Sequence, residues 1–237
     1  MVRSFSTRST EAELMDDAAV SSEELDACLR DLARVNVLMR AHQPTIAWLE
    51  RAARDLGPGD RLSVLDVGFG QGDLLRRIHA WCVGRGLSPD LIGVDLSPWS
   101  AVAARAATAP GTAIDYRTGD IFAFRPERPL DVIVSSQFTH HLADDAVVAF
   151  LRFMESTARR GWFVSDLHRH PVPFYGFALL ARIARWHRFV RHDGPVSIAR
   201  AFRRQDWERL LHRAGIDPAA VEIRWHVPFR LCVGRLR

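Results

Sequence analysis

From residue 62 onward, short apolar runs alternate with segments of helical period. Leu62–Val67 reads as a buried strand and Gly72–Val83 as a helix. Leu91–Asp95 and Pro98–Ala107 repeat the pair, and Ala113–Arg117 is a short strand. Asp131–Ser136 is a strand, Ala143–Ala158 a helix and Gly161–Asp166 a strand. Apolar strands separated by helices predict a parallel sheet covered on both faces. The end of the chain breaks the pattern. After a helix over Gln205–Ala214, the strands Val221–Trp225 and Phe229–Leu236 are close enough to form an antiparallel hairpin that closes one sheet edge.

Two segments lie outside this alternation. Residues 1–20 are rich in Ser, Thr, Ala and acids and read as a partly mobile end. Ser21 and Glu24 form a capping-box signature. After it Leu25, Cys28, Leu29, Leu32, Val35 and Met39 keep a helical period. A second helix is expected from Pro44 to the Gly57-Pro58-Gly59-Asp60 turn. The expected division is therefore a helical lid or extension over 1–57 and one α/β domain over 58–237. A lid insertion at about 167–201 follows the fifth strand. It is aromatic and basic, and insertions at the carboxyl end of a parallel sheet sit over the ligand crevice.

Composition narrows the classes. The 237 residues are 48% apolar, enough for a sizeable core. No apolar stretch approaches the roughly 18 residues a membrane span needs, and the start lacks a secretory pattern. All 32 basic residues are arginine, which removes lysine Schiff-base and lysine-nucleophile mechanisms. A net charge of +4 with interleaved acids gives little support to nucleic-acid binding. Cys28, Cys82 and Cys232 are odd in number and widely spaced, so reduced, buried thiols in a cytoplasmic chain are expected.

The first strand runs into Asp66-Val67-Gly68-Phe69-Gly70-Gln71-Gly72. Glycines let the backbone turn tightly and approach a ligand, and the following helix start supplies free N–H groups. A dinucleotide fingerprint would be G-x-G-x-x-G. Here the spacing is G-x-G-x-G, and Asp73 stands where the third dinucleotide glycine belongs. Asp66 would repel a phosphate and attract an ammonium or sulfonium, so the loop suits a cationic amino-acid cofactor. A purely structural turn is the alternative. Asp95, followed by Leu96, ends the second strand 23 residues after Gly72. An acid there can take both ribose hydroxyls, or it can cap the next helix. Asp120 can accept a hydrogen bond from an adenine amino group, and Ile121 can cover the ring.

These residues resemble the class I S-adenosylmethionine-dependent methyltransferases, from about Val64 to the end. The resemblance implies a Rossmann-like seven-stranded sheet with a reversed last strand. It implies S-adenosylmethionine as cofactor, with Asp66 or its neighbours at the methionine part and Asp95 at the ribose. Ser135-Ser136-Gln137 would line the methionine side through main-chain atoms. A narrower likeness is to small-molecule methyltransferases of the ubiquinone/menaquinone type, especially those found beside type III polyketide synthases. It rests on Asp31–Asn36, Ser165–Pro171 and His192-Asp193-Gly194-Pro195. Ser165 stands where that group often has Asn, and Val37–Arg40 diverges.

Methyl transfer from a sulfonium demands chiefly positioning, and a phenolic acceptor also gains from a base. His140 and His141 follow the fourth strand, and His168 follows the fifth. These three are the candidate bases. Asp166, His168 and His170 alternate and would share one side of an extended chain, a pattern that fits a metal trio. No metal is expected, because no second cluster supports it and the chemistry needs none. Arg34, Asn36, Phe174 and Tyr175 are candidate acceptor contacts. The aromatic stretch 174–190 can roof an acceptor pocket, or its arginines could place it on anionic lipid.

The expected activity is methyl transfer to a small hydroxylated aromatic, quinone-like or polyketide acceptor, O-methylation being favoured over C-methylation. The competing readings are an RNA or protein methyltransferase and a nucleotide-binding regulator without turnover. Ser135-Ser136-Gln137-Phe138 lacks the Asn/Asp-Pro-Pro-aromatic signature of base-amino methylation.

Overall fold

A computed structural model of the chain describes residues 4–14, 31, 35–36 and 38–237. The capping box at Ser21 and Glu24, Cys28 and Arg34 lie outside the described residues.

One seven-stranded sheet organises the chain. Its strands are β1 (Arg61–Val67), β2 (Ser88–Asp95), β3 (Ile114–Thr118), β4 (Leu130–Ser136), β5 (Ala158–Leu167), β6 (Glu222–His226) and β7 (Arg230–Leu236), in the order β3-β2-β1-β4-β5-β7-β6. β1 to β5 are parallel, and β7 runs antiparallel to both β5 and β6. The order reverses beside β1, so the crevice opens at the carboxyl ends of β1 and β4.

The helices are α1 (Gln43–Ala52), α2 (Asp73–Gly84), α3 (Pro98–Ala106), α4 (Asp144–Thr157), α5 (Pro171–Ile183), α6 (Arg188–Arg200) and α7 (Arg204–Ala214). Alternation along the strands splits the core in two. On one face Leu62, Val64, Val132, Val134 and Phe163 pack beneath α1, α2 and α3. Trp48 of α1 stacks on Phe163 with ring centres 5.3 Å apart. On the other, Leu65, Val67, Ile133, Trp162 and Val164 pack beneath α4 and α7.

The expected helix from Pro44 ends at Ala52, before the Gly57–Asp60 turn. The excursion after β5 is the helix pair α5 and α6. A strap, residues 4–14, crosses them. The Arg169 guanidinium is 1% exposed; it donates to the carbonyls of Phe5, Ser6 and Ala201 and pairs with Asp206 at 2.9 Å. Arg8 donates to Asp144 and to the carbonyls of His140, Leu142 and Arg200.

Candidate active site

The glycine loop is built by left-handed backbone. Gly68, Gly70 and Gly72 have φ of 72°, 53° and 71°. A Cβ at Gly68 would lie 2.7 Å from the Phe138 ring, and one at Gly72 would lie 2.6 Å from the Tyr116 hydroxyl. At Gly70 the same position is open space, the kind of clearance a bound ligand needs. The loop delivers the chain into the N-terminus of α2.

Asp66 sits beneath this loop, 1% exposed, and neither carboxylate oxygen has a hydrogen-bond partner. Burial, with the nearby charges of Asp73 and Asp95, pushes its carboxyl well above the ordinary range. A buried acceptor without a donor is costly, and a cationic amine would satisfy it. Asp95 closes the loop from β2. Its two oxygens accept the N–H groups of Gly70 and Ser97, each at 2.9 Å. It therefore also takes the helix-entry role, and the Ser97 side chain makes no cap.

A polar chain clasps the loop from above. Asp73 accepts from Asn36 Nδ2 at 3.0 Å and lies 2.9 Å from His42 Nε2. Asn36 Oδ1 in turn accepts from Gln137 Nε2 at 2.9 Å. Burial works to raise the Asp73 carboxyl, but the bonds from His42 and Asn36 outweigh it and hold the group below its ordinary value. Gln137 takes a positive φ of 54° just beyond β4. Asn36, a candidate acceptor contact, is thus tied to the start of α2 beside the glycine loop.

Beyond the carboxyl end of β3 the chain turns. Ile121 is 6% exposed and packs in the core. It points inward because the chain turns there, with Asp120 Oδ1 accepting the Phe122 N–H. Apolar side chains open to solvent near here include Leu96, Trp99 and Phe122, at 76%, 56% and 38%.

The histidines divide. His140 is 3% exposed, its Nδ1 is 2.7 Å from Asp166 Oδ1, and its Nε2 is 3.7 Å from Glu13 of the strap. Asp166 also accepts from the Thr139 hydroxyl (2.5 Å) and the His140 N–H (3.0 Å). Burial alone would raise the Asp166 carboxyl; the His140 and Thr139 contacts reverse this and hold it far below the ordinary range. His141 is about one-third exposed, 3.9 Å from Glu13. His168 is half-buried beyond β5, and burial, with His170 and the neighbouring arginines, keeps its pKa below the usual histidine value.

Asp166, His168 and His170 do not bring their ligand atoms together. β5 ends at Leu167, Asp166 is committed to His140, and His170 caps α5 by accepting the Val172 N–H. Among the described residues, the His/Cys/Asp/Glu group with ligand atoms close enough to share a cation is Glu13, His140 and His141, within 4.8 Å. The Arg200 guanidinium already stands 3.7 Å from Glu13 there. Phe174 and Tyr175 pack against Phe5 of the strap, at 5.3 and 6.4 Å between ring centres.

Arg230 was not among the expected site residues. It opens β7 opposite Leu167, at the carboxyl edge of β5. Its side chain is 3% exposed, and Nε and Nη1 have no hydrogen-bond partner. The Ser136 hydroxyl is buried and unpartnered at the end of β4. Alternation puts Asp66, Ser136 and Arg230 on one sheet face. The sequence signal was faint: an arginine inside an otherwise apolar terminal strand.

Comparison with known proteins finds a family likeness in the central segment. Residues 64–161 match the family described as methyltransferase domain. The matched stretch is about two-fifths of the chain. The match runs from within β1 to the start of β5, and domains of this family use S-adenosylmethionine. No curated protein matches the chain in sequence. Among solved structures, magnesium protoporphyrin IX methyltransferase from Synechocystis PCC 6803, with SAH bound, is 17% identical. The match covers 93% of this chain and 89% of that one, with a TM-score of 0.56. The plantazolicin methyltransferase BpumL in complex with SAH is 12% identical over 92% of each chain, at 0.66. LepI in complex with SAM is 16% identical over 80% of this chain and 46% of that one, at 0.55. At these identities the likeness is one of fold: the seven-stranded α/β sheet with its antiparallel terminal hairpin.

Proposed function

We propose that the chain transfers a methyl group from S-adenosylmethionine to an acidic oxygen, a phenol or enol, on a small hydroxylated aromatic, quinone-like or polyketide acceptor. The observation that carries this reading is the row of buried, unsatisfied groups along the crevice edge, Asp66, Ser136 and Arg230. Its two ends have opposite charge. Asp66 suits the ammonium of an amino-acid cofactor. Arg230, three strands away in the order β1-β4-β5-β7, suits an oxyanion on the acceptor.

The residues fit the cofactor. Asp66 would hold its amine, the Gly70 clearance its close approach, Asp95 its ribose, and Leu96, Phe122 and Asp120 its adenine. When bound, it supplies a methyl group on a positively charged sulfur. The chain's own part is to position the acceptor oxygen and to favour its deprotonated form. Arg230 does the second by charge without losing a proton, since a guanidinium stays protonated near neutrality. His168, whose lowered pKa keeps it neutral there, can accept the acceptor's proton. His141 is the alternative base. His140 is tied to Asp166 and roofed by Glu13, and it holds the turn after β4 in place.

The named acceptors of the structural neighbours, magnesium protoporphyrin IX and plantazolicin, are organic molecules rather than nucleic acids, which supports a small-molecule acceptor. Cys82 and Cys232 are buried, and burial pushes both thiols up to about 11, so neither offers a nucleophile to the reaction.

The test is methyl-labelled S-adenosylmethionine offered with phenols, enols and hydroquinones, their fully methylated counterparts, and RNA and protein acceptors. Label on an oxygen of the phenols or enols supports the reading. Label in RNA or protein alone contradicts it. Single His→Ala changes at 140, 141 and 168 then identify the base: turnover falls at His168 or His141 with SAH affinity kept, and falls less for acceptors already ionised.

A further inference from the structure

The outward side of α5 is apolar. Pro173 and Ala181 are buried against the molecule, while Val172, Tyr175, Leu179 and Ile183 are 61%, 50%, 60% and 70% exposed. Their spacing of three, four and four residues makes one continuous stripe along the helix. A helix on the surface of a globular domain ordinarily presents the reverse pattern. An exposed apolar stripe of this kind marks a contact surface.

The charge around the stripe decides what it contacts. From Leu167 to His192 the sequence contains no aspartate or glutamate. Arg182 and Arg185 at the end of α5, and Arg191 in the first turn of α6, are all exposed. A second copy of this chain, apposed through the same face, would bring two basic rims together at an energetic cost. A surface that is both apolar and anionic satisfies both features, and an interfacial helix with an arginine rim has that character. No helix among the described residues is long and apolar enough to cross a membrane, so such contact is peripheral.

We propose that the outward stripe of α5, with its arginine rim, docks the protein on an anionic lipid bilayer. The contact lies on the insertion beyond β5, at the crevice end of the sheet, so a membrane-dissolved acceptor would enter from the docked side. The docking itself does not depend on which acceptor is used.

The experiment is flotation of the full-length protein with vesicles of phosphatidylcholine alone and of phosphatidylcholine enriched in phosphatidylglycerol. The wild type is expected to float with the anionic vesicles at least about tenfold more than with neutral ones, and to lose that preference as salt is raised. Leu179→Glu with Ile183→Glu, and separately Arg182→Glu with Arg185→Glu, should each lower binding by at least about tenfold. Both variants should keep the thermal midpoint and SAH affinity, which shows that the fold and the cofactor site are intact. Failure of the wild type to bind anionic vesicles would overturn the proposal, as would equal binding by the folded variants. A dimer by light scattering that Leu179→Glu with Ile183→Glu converts to monomer would assign the stripe to a second copy instead.

Discussion

One carboxylate oxygen of Asp95 accepts the backbone N–H of Gly70 at 2.9 Å, so the end of β2 and the glycine loop after β1 are held as one unit. The other oxygen accepts from Ser97 N. Asp95→Ala removes both bonds and, on the proposed reading, the ribose partner with them. Asp115 lies in β3, exposed and paired with Arg117. Calorimetry should show that Asp95→Ala weakens SAH binding by about 1.5–3 kcal/mol, a charge-assisted hydrogen bond's worth, while Asp115→Ala leaves it unchanged. Equal losses would move the ribose site away from β2.

Asp66 carries an opposite pair of expectations. Its folded carboxyl is raised by burial, so below the unfolded value near 4 both states are protonated and the group is neutral in its effect. As pH rises from there, the unfolded chain releases the proton more readily than the folded one, and stability is lost up to the folded pKa. Asp66→Asn should therefore stabilise the cofactor-free protein against urea at neutral pH, with the gain vanishing toward pH 4. The same change should weaken SAH binding. A variant that is less stable at neutral pH would show that Asp66 is satisfied after all.

The Asp166–His140 pair runs the other way. Its carboxyl is held low in the folded state, so the stability it adds is present above the unfolded pKa and is lost as acid drives the pH down through the folded one. Asp166→Asn breaks a buried pair and a hydroxyl contact, and should cost about 3–5 kcal/mol in urea unfolding at neutral pH. The penalty should shrink on acidification. A cost near zero would mean that the turn after β4 does not depend on this pair.

Arg230→Gln keeps much of the side chain's volume and removes its charge. With an ionisable acceptor, KM should rise by roughly tenfold or more, a lost charged hydrogen bond, while SAH affinity stays as in the wild type. With a neutral acceptor of similar shape the change should be small. If SAH affinity falls instead, Arg230 serves the cofactor's carboxylate and the acceptor loses its proposed anchor.

The sheet was legible because its strands are short apolar runs between helices with their own period, and the reversed end showed as two strands too close for a crossover. The glycine loop was legible as a tight strand-to-helix turn because its three glycines can take left-handed backbone, which Gly68, Gly70 and Gly72 all adopt. Three features were not. Ile121 follows an acid that turns the chain, and only that turn, with Asp120 Oδ1 accepting the Phe122 N–H, shows that its side chain packs in the core. Asp166 was grouped with His168 and His170 by alternation, which holds only while the strand continues; β5 stops at Leu167. The partner that Asp166 does find, His140, is 26 residues away and meets it only because β4 and β5 are neighbours. Arg230 is a tertiary fact, since burial without a partner has no local sequence signature.

The central claim is a site for an amino-acid nucleoside rather than a dinucleotide, and thermal unfolding in the presence of SAH and, separately, NAD tests it most directly. At about 100 times its dissociation constant, SAH should stabilise the protein by about 2.7 kcal/mol and raise the midpoint accordingly, whereas NAD at the same concentration should not move it. An equal shift with NAD, or no shift with SAH, would contradict the account.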